Sequence, residues 1–200
     1  MQSEIKKRKI KKSVKIIGTI VRAITVVGYI GIIACLLTAI SAIFKPTFIF
    51  NTMYLDEVLI QNSIDPDIFT RKLAVSLMIK YIMNIVFVIL ILKSLGRILS
   101  TIENGEPFDS RNHSEISIIG WITIASVNLI PILEYFVRTI ILKLPSNLKG
   151  IGSDGVLRYY STSVDWKITL LGIFLGVLII ILAQVFKYGT YLQNEYDSTL

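Results

Sequence analysis

Lys80 and Asn84 stand one helical turn apart inside a long apolar run, and Glu134 and Arg138 stand one turn apart inside another. An ionisable side chain among Leu, Ile and Val is costly unless it meets a partner, so such residues mark either a polar network or a site. In the antiparallel arrangement below, Lys80 and Glu134 come to similar depth and are expected to approach each other. Arg138 is a competing or third partner, and Asn84 can bond to Asn128 or Ser126. Two chemistries fit this set: an ion-paired network that fixes helix register, or an outward-facing polar cavity that takes a ligand or ion. Other chemistry is missing. There is no HExxH, no GxSxG, no paired intramembrane aspartate and no phosphate-binding glycine loop. The single histidine, His113, reads as a solvated residue of a connecting turn. The single cysteine, Cys35, excludes an intrachain disulfide, and with one histidine a zinc site is not expected. No catalytic, cofactor-binding or metal-binding residue is assigned, and an enzyme is not expected.

The elements that must position these residues are four apolar runs, from about Ala23 to Phe44, Leu73 to Leu92, Ile116 to Phe136 and Trp166 to Phe186. Each is close to the roughly 20 residues that carry an α-helix across about 30 Å of hydrocarbon. The hydrophobic fraction of 53% and the charged fraction of 18% agree. The expected fold is an all-α integral membrane protein, a four-helix transmembrane bundle. Residues 1–200 form a single four-helix membrane domain, with a basic tail over 1–15 and helices at about 16–44, 66–104, 110–142 and 164–192.

The net charge of +7 has its largest cluster at the start of the chain, in Lys6, Lys7, Arg8, Lys9, Lys11, Lys12 and Lys15. Such a segment is attracted to anionic headgroups by about 1 kcal/mol per residue near the surface. Its partner is therefore a lipid bilayer with anionic headgroups, and no direct nucleic-acid binding is expected. The tail, Lys93, Arg97, Arg111 and Lys187 fall on one side of the spans. Lys45, Arg71, Lys72, Lys143, Lys149 and Arg158 fall on the other. The excess on the first side predicts that both termini are cytoplasmic, N-in and C-in.

Local signals sharpen the elements. Asp65-Pro66 reads as a cap followed by proline in the first turn, and Asn104-Gly105 reads as a helix stop. A helix between them would run about 58 Å, longer than a bilayer needs. Asp109 can cap the third helix, with Glu115 in an early turn, and Pro131 removes one backbone bond within it. The loop from about Lys45 to Asp65 reads as an interfacial helix or a ligand-binding cap. The loop from about Lys143 to Asp165 is rich in Gly, Ser and Asn. Gly172 and Gly176 have GxxxG spacing, which suits close contact inside the bundle more than dimerisation, and a homo-oligomer remains open.

Two further motifs lie on the predicted cytoplasmic side. The turn reads Ile102-Glu103-Asn104-Gly105-Glu106-Pro107-Phe108. The end of the chain reads Phe186-Lys187-Tyr188-Gly189-Thr190-Tyr191-Leu192-Gln193-Asn194-Glu195-Tyr196-Asp197-Ser198-Thr199-Leu200. In these motifs the chain resembles an uncharacterised family of bacterial four-pass membrane proteins. That family has an NGxPF-like inner loop and a terminal FxxGxxLQxExDxTL-like signature. The resemblance implies residence in the bacterial cytoplasmic membrane. It also implies a regulatory or stress-response pairing with a small helix-turn-helix, DNA-binding regulator, and it brings no activity with it. Asn104, Gly105, Pro107, Phe108, Gly189, Leu192, Gln193, Glu195 and Asp197 are the candidate docking residues for such a cytoplasmic partner. The same motifs also suit a tail that folds back on the turn. The alternative function is a bacteriocin-immunity or transport-associated membrane protein.

Overall fold

The structure, a computed structural model, describes residues 2–44, 66–136 and 166–199. They form four helices: α1 (Gln2–Phe44), α2 (Pro66–Asn104), α3 (Ser110–Phe136) and α4 (Trp166–Ser198). Within them, Lys11–Ser41, Ala74–Asn104, Ser110–Leu133 and Thr169–Tyr196 are each long and apolar enough to cross a membrane. The chain is a multi-pass membrane protein.

Hydroxyl groups inside these spans turn back on their own helices. Thr25 donates to the carbonyl of Val21 at 2.8 Å, Thr38 to Ala34 at 2.8 Å and Thr123 to Ile119 at 2.8 Å. In lipid there is no water to satisfy a hydroxyl, so this local bond lets threonine sit in a span at low cost.

The lysine-rich start corrects the expectation of a tail over 1–15. Helix α1 begins at Gln2 and carries the basic segment as its first turns. Extending a long helix needs no new nucleus, and Lys and Arg are good helix formers. Helix α4 likewise continues beyond 192, to Ser198. It is unbroken there, and it meets the turn as a continuous helix, through Phe186, Gly189 and Thr190. Helix α3 passes through Pro131 and is described as far as Phe136.

Two compact units make up the chain. The first comprises Met1–Ile30, Ile85–Val127 and Lys167–Leu200, and so draws on all four helices. In it, Ile98, Ile116 and Ala183 form a buried cluster, flanked by Ile102, Ile119, Ile179 and Phe186. Helices α3 and α4 meet here through glycine. A β-carbon added to Gly120 would lie 2.8 Å from the carbonyl oxygen of Gly176, and one added to Gly176 would lie 2.9 Å from that of Gly120. Gly172 receives the side chain of Val127. The GxxxG pair is thus used inside the chain, where absent side chains let two backbones touch. Helix α1 joins α2 along one stripe: Gly28 faces Ile89, and Val21 is buried near Gly96. Around the rest of its girth, Ile16, Ile17, Ile20, Ile24, Val27, Ile30 and others are exposed, as suits a lipid-facing helix.

The second unit comprises Gly31–Asn84 and Asn128–Trp166. Among its described residues Ala74 and Ser76 are buried on α2.

Candidate docking site at the turn between the second and third helices

Helix α2 ends because Gly105 adopts φ 94°, a left-handed conformation that is costly for residues with a β-carbon. The Gly105 N–H donates to the carbonyl of Ile102 at 3.1 Å, and the Glu106 N–H to that of Thr101 at 3.0 Å. These two bonds make a Schellman ending, which satisfies carbonyls the helix would leave open. Helix α3 then starts on Asp109. Its Oδ1 accepts the N–H of Arg111 at 2.7 Å, the bond of an N-cap. The Arg111 guanidinium also grips the carboxylate, with Nη2 at 2.7 Å from Oδ2. Hydrogen bonds from the Arg111 side chain, then from its backbone N–H, hold the Asp109 carboxyl down at about 2.

Between these two ends the turn is pinned. Asn112, only 1% exposed, accepts the Thr101 hydroxyl at 2.7 Å and donates its Nδ2 to the carbonyl of Pro107 at 2.9 Å. One amide thereby ties α2, the turn and α3 together. The third tie is to α4. The Thr190 hydroxyl donates to the carbonyl of Phe108 at 2.9 Å. The Phe108 ring lies 5.9 Å from that of Phe186, tilted by 37°, a favourable aromatic arrangement. Gly189 leaves the space in which the same ring rests. Nearby, Arg97 of α2 pairs with Glu115 of α3 at 2.9 Å.

Most of the candidate docking residues fall on this pinned end. Asn104, Gly105, Pro107 and Phe108 are exposed on the turn, while Leu192, Gln193 and Glu195 are exposed on α4. Gly189 is instead half-buried beneath Phe108, so its part is internal. The Asp197 side chain lies outside the described residues. Beyond the expected set, α4 exposes Tyr188 (62%), Tyr191 (61%) and Tyr196 (65%) beside Leu192 (46%). These positions share a helical face, a spacing that was present in the sequence.

The intramembrane set is placed only in part. The side chains of Glu134 and Arg138 lie outside the described residues, as do those of Lys6, Lys7, Arg8 and Lys9 in the basic segment. Lys11 and Lys12 are exposed. Lys80, Asn84 and Asn128 are half-buried. The Asn84 side chain donates to the backbone carbonyl of Lys80 at 2.9 Å, and Ser126 donates to that of Thr123 at 2.8 Å. The outer loops are likewise outside the described residues. His113 departs from the solvated-loop expectation: it sits in the first turns of α3, half-buried, with Nδ1 shielded and without a hydrogen-bond partner. Ser94 Oγ and Glu115 Oε2 are buried in the same way.

Sequence reasoning missed the Thr101–Asn112 bond, the Thr190–Phe108 bond and the Arg97–Glu115 pair. A signal existed for the first: Ser94, Ile98 and Thr101 share one face of α2, and polar residues on a buried stripe point to bonds between helices.

No characterised protein and no solved structure matches the chain. The family model described as a protein of unknown function, DUF2975, matches residues 63–200, which include α2, α3, α4 and both halves of the pinned end. That stretch is well over half of the chain, and the protein belongs to the DUF2975 family.

Proposed function

We propose that the protein is a non-enzymatic component of the bacterial cytoplasmic membrane, with both termini inside. It would act in a regulatory or stress-response pair, with a small helix-turn-helix regulator docking on the pinned turn and the end of α4. The observation that carries this reading is the exposed face of Tyr188, Tyr191, Leu192 and Tyr196. The apolar run ends at Phe186, followed by Lys187. Leu192 and Tyr196 then stand about 9 and 15 Å beyond it at about 1.5 Å per residue. A headgroup layer is only about 6 Å thick. Aromatic side chains exposed past that layer suit a protein partner better than an interfacial anchor. The Thr190, Gly189 and Phe186 contacts give the face a firm base, and a preorganised surface loses little on binding. The charge bias supports the orientation, and the family resemblance supports the kind of partner.

The test is photo-crosslinking in native membranes with a reactive residue at position 191 or 196. An adduct with a DNA-binding regulator is expected. An adduct with a transporter instead would favour the transport-associated alternative, and no adduct at either position would overturn the docking reading. Reporter fusions that place either terminus outside the cytoplasm would do the same.

A further inference from the structure

The contacts between helices fix which residues share a level in the first unit. Val21 of α1 lies against Gly96 of α2, and Gly28 lies against Ile89. Thr101 and Arg97 of α2 bond to Asn112 and Glu115 of α3. Phe108 meets Gly189, and Gly120 meets Gly176. In this register Arg22 stands level with the stretch of α2 between Lys93 and Arg97, which are about 6 Å apart at about 1.5 Å per residue. Lys15, Arg111 and Lys187 stand farther out, about 10 Å beyond Arg22 at about 1.5 Å per residue. All of these residues are exposed. Two are tied to carboxylates, Arg97 to Glu115 and Arg111 to Asp109. Lys93 lies over the ring of Tyr29, 5.6 Å from its centroid.

We propose that these residues form a collar that binds anionic phospholipid headgroups around the first unit, with Lys15 and Arg22 of α1, Lys93 of α2 and Lys187 of α4 as its principal cations. The band is wider than one headgroup layer, and its inner cations reach that layer along their own length, as Lys and Arg side chains snorkel from apolar surface toward the interface. Exposed Ile16, Ile17 and Ile20 lie on α1 between Lys15 and Arg22. A lipid covers both kinds of side chain at once, acyl chain against isoleucine and phosphate against lysine or arginine. A nucleic acid would satisfy the cations and leave the isoleucines wet, so the geometry favours lipid. The collar is distinct from the Lys6–Lys9 segment, which lies farther out along α1. It also stands independently of any protein partner on α4.

The test uses the full chain in nanodiscs of mixed phosphatidylcholine and phosphatidylglycerol, with retained lipid counted by native mass spectrometry. The wild type is expected to hold phosphatidylglycerol in several-fold excess over the bulk ratio, less so as salt screens the attraction. The variant K15Q/R22Q/K93Q/K187Q is expected to fall to the bulk ratio while keeping its helical content and monodispersity. The charge-conserving K15R/R22K/K93R/K187R is expected to keep the excess, which separates charge loss from misfolding. The tail variant K6Q/K7Q/R8Q/K9Q is expected to keep most of it. No excess in the wild type, an unchanged excess in the collar variant, or its loss in the tail variant would each overturn the proposal. Displacement of the lipid by a short DNA duplex or by inorganic phosphate would overturn it as well.

Discussion

The ring of Phe108 rests on Gly189: a β-carbon at Gly189 would meet Cε1 of the ring at 3.0 Å and Cδ1 at 3.1 Å. The two residues are 81 positions apart in sequence, and each belongs to one of the two motifs on which the family resemblance was drawn. Phe108 is itself partly exposed, so its ring can yield slightly. Gly189→Ala is therefore expected to lower stability by less than about 1 kcal/mol, whereas Gly189→Leu displaces the ring. Limited proteolysis at the turn should read the difference: faster cleavage in the leucine variant, and near wild-type cleavage in the alanine variant.

The glycine contact between α3 and α4 predicts a larger loss. The added β-carbons of Gly120→Ala or Gly176→Ala would press on backbone oxygen at 2.8 and 2.9 Å, which cannot rotate away. Each is expected to cost about 1–3 kcal/mol, as overpacking does. Gly18, with nothing within 4 Å of its added β-carbon, is the control. Gly18→Ala should be neutral or stabilising by up to about 1 kcal/mol, because it removes a glycine from a helix interior. Thermal unfolding in mild detergent should rank the variants.

Thr101 and Asn112 should behave as a pair. Thr101→Val leaves the buried amide oxygen without its donor, a loss of about 1–3 kcal/mol. Asn112→Leu leaves the Pro107 carbonyl unsatisfied as well, so it should cost more. The double variant should lose less than the sum of the singles, since the shared bond is counted twice. A double-mutant cycle on unfolding free energies measures this directly.

Asp109 gives the turn a pH dependence whose sign follows from its depressed value. The carboxyl stands at about 2 in the fold against 3.8 ordinarily. Its contribution is therefore complete above about pH 4 and is lost as pH falls toward 2. The carboxyl carbon shift of Asp109 is expected to titrate near 2, and Arg111→Gln should return it toward the ordinary value. A midpoint near 4 in the unaltered protein would contradict the Arg111 contacts.

Gly105→Ala should cost about 1–2 kcal/mol, the strain of a left-handed residue with a β-carbon. Gly105→Asn should cost less, because asparagine tolerates that region. The same unfolding assay distinguishes them.

Much of the scaffold was legible from local signals. Run length marked the spans, Pro66 and Gly105 mark the limits of α2, and Asp109 marks the start of α3. These are properties of a residue and its near neighbours. The start of α1 was harder, because a lysine-rich segment suits a solvated tail as well as the first turns of a long helix. The bonds that pin the turn were harder still. Thr190 and Phe108 are far apart in sequence, and no periodicity says which carbonyl a threonine hydroxyl will find. The face at Tyr188, Tyr191, Leu192 and Tyr196 was written in helical spacing, yet its exposure depended on which side of α4 the glycines turned inward.

The single stripe by which α1 meets α2 bears on how the chain is assembled. Helix α1 is made before α2, α3 and α4, and has to wait in the bilayer while these neighbours are still being made. A cylinder whose girth is already greasy, with Val21 the lone buried hydrophobic side chain among its described residues, loses little by waiting. The interlocked pieces, Gly120 on Gly176 and Phe108 on Gly189, belong to α3, α4 and the turn before α3, all synthesised later, when a companion is already at hand.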